Sequence, residues 1–233
     1  MNFVDWGLIP YSIAYEKQKE LFEHALNLKS TGQKVDNTLI FCEHPHVITI
    51  GKNGRLSNLL FSENHLKEQG VSLFHIDRGG DITYHGPGQL VVYPIFDLVT
   101  FNLGLKSYIH LLEEVIICLL SEYNIQSERL EGASGVWLDI ALSQKTRKIC
   151  AIGVKTSRFV SMHGLALNIN TNLNYFRLIN PCGFADKGVT SMQHELGKTV
   201  DTELVKQNLI EIFKSKFHGA SKKSKISSTE RGI

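Results

Sequence analysis

The chain has 233 residues, 42% of them hydrophobic and 21% charged, with a net charge of +2. That balance suits one globular domain with a sizeable core and argues against a strongly basic surface for nucleic acid or membrane. No run of about eighteen apolar residues is present to cross a bilayer, and "MNFVDWGLIPY" lacks the basic-then-apolar order of a secretory signal, so the sequence predicts a cytoplasmic protein.

Taken in order, Tyr11 to Lys29 reads as an amphipathic helix, because Tyr15, Leu21, Phe22, Ala25 and Leu28 recur at helical spacing. "TLIFC" and "VITI" read as two strands about the proline-containing turn "EHPH". "SLFHID" enters a glycine-rich loop, "RGGDITYHGPG", as a strand, and "LVVYPI" leaves it as another rich in β-branched residues. A helix follows from about Leu105 to Tyr123, then the strand-like runs "GVWLDI", "KICAIGVK" and "GLALNIN". The turn "SQKTR" joins the first two as a hairpin, and "TSRFVSMH" links the second to the third. Thr202 to Phe217 reads as a final helix. From residue 219 the composition turns small, polar and basic, so the expected organisation is one domain over 1–218 and a disordered tail over 219–233.

Two segments carry candidate chemistry. The glycine loop brings backbone close to something, but it has neither GxxxxGK[ST] nor GxGxxG, and no helix follows it to hold a phosphate. His75 and His85 have no Cys or carboxylate at a familiar ligand spacing, so no metal is expected. The four cysteines form no CxxC pair; Cys42, Cys118 and Cys150 sit in apolar runs and read as buried thiols. Cys182 differs, standing between a proline and a glycine in "NPCGFADKGVTSM". A thiol with a pKa near ~8.5 needs a nearby base or cation to act as a nucleophile. His163, His194, Lys148 and Lys155 are the candidates.

Together, "RGGDITYHGPGQLVVYPI", "RKICAIGVKTSRFVSMHGLALNIN" and "NPCGFADKGVTSM" resemble the octanoyltransferase family of lipoate biosynthesis over nearly the whole chain except the tail. The resemblance implies an α/β (α+β) fold like that of biotin and lipoate protein ligases, a central mixed, largely antiparallel sheet flanked by helices. It implies transfer of an octanoyl group from acyl carrier protein to the target lysine of lipoyl domains, those of 2-oxoacid dehydrogenases and the glycine cleavage H protein. No cofactor, nucleic acid or membrane is involved. Cys182 matches the acyl-thioester nucleophile and Lys148 its partner, with Lys155 set aside. Arg78, Gly79, Gly80, Asp81, Ile82, Thr83, Tyr84 and His85 match one wall of the acyl pocket, and Ala151, Ile152, Gly153, Gly164, Leu165 and Ala166 the others. Glycine and alanine there would leave room for a narrow apolar chain.

Two residues depart from the family pattern. Asp81 stands where a neutral or basic residue is usual and is expected to face solvent, because a carboxylate disfavours an apolar chain. Cys150, two residues from Lys148, shares its face by strand alternation and is a rival nucleophile. Lys52, Arg55 and Arg158 are candidate docking cations for an acidic carrier protein. The competing readings are an ATP-dependent lipoate ligase, a lipoyl or octanoyl amidotransferase, and an inactive module that only docks lipoyl domains.

Overall fold

The computed structural model describes residues 1–180 and 187–229. Among these, strand β1 (Asn2–Leu8) runs parallel to β2 (Thr38–Glu43). The sheet continues antiparallel through β6 (Gln89–Ile95), β10 (Val160–Asn168), β9 (Arg147–Ser157), β8 (Ala133–Leu138) and β7 (Glu128–Leu130). The short β11 (Gly188–Val189) adds parallel to β9 at Arg147 and Lys148. A second sheet places β3 (Val47–Ile50) between β4 (Ser72–His75) and β5 (Ile82–His85). The helices are α1 (Tyr11–Ser30), α2 (Glu63–Glu68), α3 (Leu105–Glu122), α4 (Met192–Leu196) and α5 (Thr202–Thr229). None of the described helices is long and apolar enough to cross a membrane.

The central strand β6 explains the layering. All seven of its residues are buried, and successive side chains face opposite sides of a strand. Leu90 and Val92 enter the core under α3 and α5 with Leu112, Ile116, Leu209, Phe213 and Phe217, while Val91, Tyr93 and Ile95 face α1 with Ala14, Phe22 and Ala25. Each large apolar side chain so buried contributes about 1.5–3 kcal/mol of transfer free energy. The mixed, largely antiparallel sheet flanked by helices is the architecture that the resemblance implies, and the three long helices fall where the periodicity places them.

Three local expectations change. β2 and β3 flank the "EHPH" turn but separate into different sheets. The link "TSRFVSMH" is mostly strand: β9 reaches Ser157, β10 begins at Val160, and only Arg158 and Phe159 turn, with φ of 47° and 63°. Both central residues at positive φ define the hairpin turn that matches strand twist, but Arg-Phe carries none of the usual signals for it. The backbone of α5 continues to Thr229, past Phe217 and into the stretch whose composition reads as a tail.

One irregularity shapes the site. Pro94 lies inside a fully buried strand, where it has no N–H to give. Beside it, in β10, His163 adopts φ 61°. A Cβ on Gly164 would stand 2.1 Å from the Val92 oxygen and 2.6 Å from Pro94 Cδ. Gly164 is therefore required by the approach of β6. We expect Gly164→Ala to lower the unfolding free energy by about 1–3 kcal/mol. Gly219→Ala, whose Cβ would meet nothing within 4 Å, should leave stability unchanged or raised, because alanine favours a helix. Urea unfolding of the two variants decides it, and equal effects would count against the steric account.

Candidate active site

A cavity of about 870 Å³ opens on the α1 side of the main sheet, against the loop that leads into β5. Its floor follows from strand register. Ala151 and Gly153 of β9 lie directly opposite Ala166 and Gly164 of β10, and Ala166 is in turn opposite Val91 of β6. Four small residues in adjacent rows leave the sheet face unfilled, with Val91 and Tyr93 beyond them. Ile152 and Leu165 border the cavity, but they also belong to the core on the α3 side, as alternation requires.

Of the other wall, Arg78, Gly79, Gly80, Asp81, Ile82, Thr83 and His85 line the cavity. Tyr84 does not: it packs in the smaller core, its hydroxyl 2.7 Å from His46 Nδ1 and its ring stacked 5.2 Å from Tyr175. Asp81 is also corrected. Rather than facing bulk solvent, it is half-buried at the cavity and accepts hydrogen bonds from Asn58 Nδ2 at 2.6 Å and Arg55 N at 3.3 Å. Bonds to those donors satisfy the carboxylate and direct it toward the 55–58 turn.

The glycines of this loop have a reason that the sequence does not disclose. Gly79 N donates to Val154 O at 3.0 Å, and Lys52 N, Asn53 N and Gly51 N donate to the carbonyls of Arg78, Gly80 and Asp81 at 3.0–3.2 Å. A Cβ on Gly153 would be 2.8 Å from Gly79 O, and one on Gly51 would be 2.5 Å from Gly80 O. Backbone thus packs on backbone at both contacts. Arg78 is buried and reaches back, donating to Thr49 O at 2.9 Å, Thr49 Oγ1 at 3.0 Å and Gly79 O at 3.0 Å.

Next to the loop stands a cluster that sequence reading missed. Asp77 accepts from His163 Nε2 at 3.0 Å, pairs with Lys155, and has Tyr15 OH at 3.4 Å. The His163 hydrogen bond, with Lys155, holds the Asp77 carboxyl well below the usual carboxylate range, while burial pushes His163 down. Because the ionised Asp77 carboxylate can only accept, His163 donates from Nε2. Lys155 is engaged there, 5.1 Å from the Phe22 ring centroid, and does not line the cavity. His194 is exposed on α4. The signal for the cluster is weak in one dimension, because its members come from α1, the loop and both strands of a hairpin.

The inner wall holds polar groups already satisfied by protein. Gln89 Nε2 donates to Tyr84 O at 3.2 Å and Asn168 Oδ1 at 2.9 Å, so its Oε1 must accept from His85 Nδ1 at 2.7 Å. That makes His85 the Nδ1–H tautomer, and burial pushes its pKa down to about 3. His44 bonds Ile9 O through Nδ1 at 2.8 Å, so Nδ1 carries its proton and Nε2 accepts from Tyr93 OH at 2.7 Å. Burial lowers His44 to about 4.

Lys148 lines the cavity at the β9 edge, its Nζ 4.4 Å from the Trp137 ring centroid. Cys150 turns away into the core on the α3 side, fully buried, and burial drives its thiol pKa up. Buried there, it is not a credible nucleophile, and it does not share the face of Lys148 because the register shift between the Val136–Cys150 and Trp137–Lys148 pairs breaks simple alternation. Cys182 lies outside the described residues. The residues on either side of 181–186, Asn180 and Lys187, both line the cavity. Arg55 also stands at its edge, whereas Arg158 is in the β9–β10 turn, next to Phe159, over whose ring Lys29 lies.

A mixed sheet carrying a deep cavity floored by small residues, with a lysine at its edge, defines a class that comparison makes specific. The lipoyl protein ligase A/B catalytic domain matches residues 11–214. Octanoyltransferases of Parabacteroides distasonis and Bacteroides fragilis are 62% and 57% identical, over 91% and 88% of this chain and 96% and 92% of theirs. That of Flavobacterium johnsoniae is 48% identical over 88% of this chain and 91% of its own. The chain belongs to the lipoyl protein ligase A/B catalytic family, among its octanoyltransferases, which are acyltransferases. A bipartite lipoate protein ligase from Thermoplasma acidophilum shares the fold at TM-score 0.68 and 16% identity, covering 93% of this chain and 83% of its own. A biotin protein ligase from Aquifex aeolicus does so at 0.53 and 15%, covering 95% and 72%.

The buried histidines set a pH dependence. Below about pH 6.5 the unfolded chain takes up protons at His44 and His85, but the native protein does not until about 4 and 3. The unfolded state then binds more protons, so stability falls as pH drops through this window. We expect His85→Gln to make the slope of unfolding free energy against pH shallower by about one proton between pH 6 and 4.5. Urea unfolding across that range tests it, and a slope equal to that of the parent protein would show that His85 is protonated in the fold.

Proposed function

We propose that this protein transfers the octanoyl group of acyl carrier protein to the target lysine of lipoyl domains by a ping-pong route through Cys182, acting in the cytoplasm. The observation that carries the reading is convergence on one cavity: Lys148 lines it, and so do Asn180 and Lys187, which bracket the segment containing Cys182. Cys182 is two residues from Asn180, a reach of up to about 7 Å for an extended chain. β11, which follows that segment directly, is hydrogen-bonded in register with Lys148. The floor of Ala151, Gly153, Gly164 and Ala166 offers an apolar chain a surface without projecting side chains, and the volume is within the range of small-molecule pockets, about 300–1,000 Å³.

In this mechanism the Lys148 ammonium stabilises the Cys182 thiolate. The thiolate attacks the carrier thioester, a C–S bond forms, and the tetrahedral oxyanion collapses with release of the phosphopantetheine thiol, which takes its proton from Lys148. The lipoyl-domain lysine arrives as an ammonium, with an unperturbed pKa near ~10.4, and neutral Lys148 accepts its proton. The free amine attacks the acyl-cysteine, a C–N bond forms, the Cys182 thiolate leaves, and the amide nitrogen gives its second proton to solvent. The incoming thioester is already activated, so ATP has no part.

Mixing the protein with octanoyl-acyl carrier protein, without ATP, should add one octanoyl mass to the parent protein and none to Cys182→Ser. The adduct should disappear on addition of a lipoyl domain, and Lys148→Ala should slow adduct formation by at least about 10²-fold, the scale of a lost acid–base group. Intact-mass spectrometry reads each step. Transfer that appears only with ATP and free octanoic acid would move the protein to the ligase reading.

A further inference from the structure

Outside the cavity lining, a closed circuit of hydrogen bonds ties β11 and α4 to β9. Thr190, immediately after β11, is completely buried and uses its backbone and hydroxyl groups together: N–H donates to Lys148 O at 2.9 Å, C=O accepts from Asn168 Nδ2 at 2.9 Å, and the hydroxyl donates to Glu195 Oε1. Glu195, on α4, accepts in turn from Arg147 Nε at 2.8 Å and Arg147 Nη2 at 2.7 Å. Arg147 is the residue before Lys148 and also pairs with Asp139. The circuit therefore leaves β9 through a side chain, passes through α4 and Thr190, and returns to β9 at the carbonyl of Lys148.

This arrangement is more than a strand-edge contact. β11 makes only two register pairs with β9, Gly188 with Arg147 and Val189 with Lys148, which is too short a ladder to define its position alone. A partly buried bidentate carboxylate–guanidinium pair adds directional bonds, and such charge-assisted bonds are about twice as strong as neutral ones. On the other side Asn168 is held by Gln89, which also holds His85. The same circuit thus joins the Lys148 strand, the chain leaving residues 181–186 and the inner wall of the cavity.

We propose that Thr190 and Glu195 are positioning residues for acyl transfer: they pin β11 against the strand bearing Lys148 and so hold the backbone of that lysine in place for the reaction. This rests on the reading that Cys182 and Lys148 act together. Misplacing a reacting group by about 1 Å can cost about 10² in rate, and a loosened β11 would free the backbone of Lys148 without touching either substrate.

The test compares kcat and KM for octanoyl-acyl carrier protein in Thr190→Val, Thr190→Ser and Glu195→Gln, with Cys182→Ser and Lys148→Ala alongside, each checked for a cooperative melt. Thr190→Val should lose at least about tenfold in kcat with KM within about twofold, Glu195→Gln should lose kcat in the same direction, and Thr190→Ser should retain parental kcat because the hydroxyl remains. Parental kcat in both Thr190→Val and Glu195→Gln overturns the proposal, as does a loss that serine shares. If Thr190→Val does not fold, Glu195→Gln against Thr190→Ser decides by the same criterion. An active Cys182→Ser would instead remove the underlying reading, whereas inactive Cys182→Ser with unchanged Thr190 and Glu195 variants would remove only this inference.

Discussion

The cavity exists because a stretch of backbone, Arg78 to Gly80, is held between two sheets without side chains in the way. Gly79 N–H bonds to Val154 on β9, and the carbonyls of Arg78 and Gly80 accept from the chain leaving β3. Those bonds join the small sheet to the large one. If either facing glycine carried a Cβ, at Gly51 or Gly153, it would press on a carbonyl at 2.5–2.8 Å, and the loop would have to lift from the sheet. The seam then fixes where Arg78, Asp81 and His85 stand, and so the wall that faces the floor of small residues.

Around this seam the protein solves an electrostatic problem. An apolar acyl chain sits poorly beside unpaired charge or unsatisfied polar atoms. The polar groups near the cavity are largely bonded to protein: His85 to Gln89, His44 to Ile9 and Tyr93, His163 to Asp77, and Asp81 to Asn58. Burial lowers the pKa of all three histidines, those of His44 and His85 to about 4 and 3, so the inner wall contributes shape more than charge. Positive charge is retained at the edge, where Lys148 and Lys187 line the opening beside the Cys182 segment. That division matches a reaction whose substrate tail is apolar and whose reacting end develops negative charge.

The irregular places in the sheet are where this function is built. Pro94 has no N–H for the β6–β10 ladder, and His163 sits at positive φ with its ring bonded to Asp77 beside the glycine loop. Strained residues persist only where their surroundings over-determine them. Here His163 is held by the partly exposed Asp77–Lys155 pair on one side and by Tyr15 stacked at 5.9 Å on the other. The helices, by contrast, are regular and serve to bury the opposite face of the sheet.

From the sequence alone came the mixed α and β class, the three long helices, most central strands, Cys182 as a candidate nucleophile, and the motifs that carry the family resemblance, which singled out Lys148 among the possible partners. These are legible because periodicity and local composition act over a few residues. Tertiary structure decided which sheet β3 joins, that Tyr84 faces away from the cavity and Asp81 caps the 55–58 turn, that Cys150 is buried away from Lys148, that Asp77 and His163 meet beside the glycine loop, and that Thr190 and Glu195 meet beside the Lys148 strand. Those outcomes depend on contacts between chain segments far apart in sequence. No local pattern encodes which backbone will press against Gly153, or which carboxylate will meet Arg147; only the packed sheet brings them within hydrogen-bonding distance.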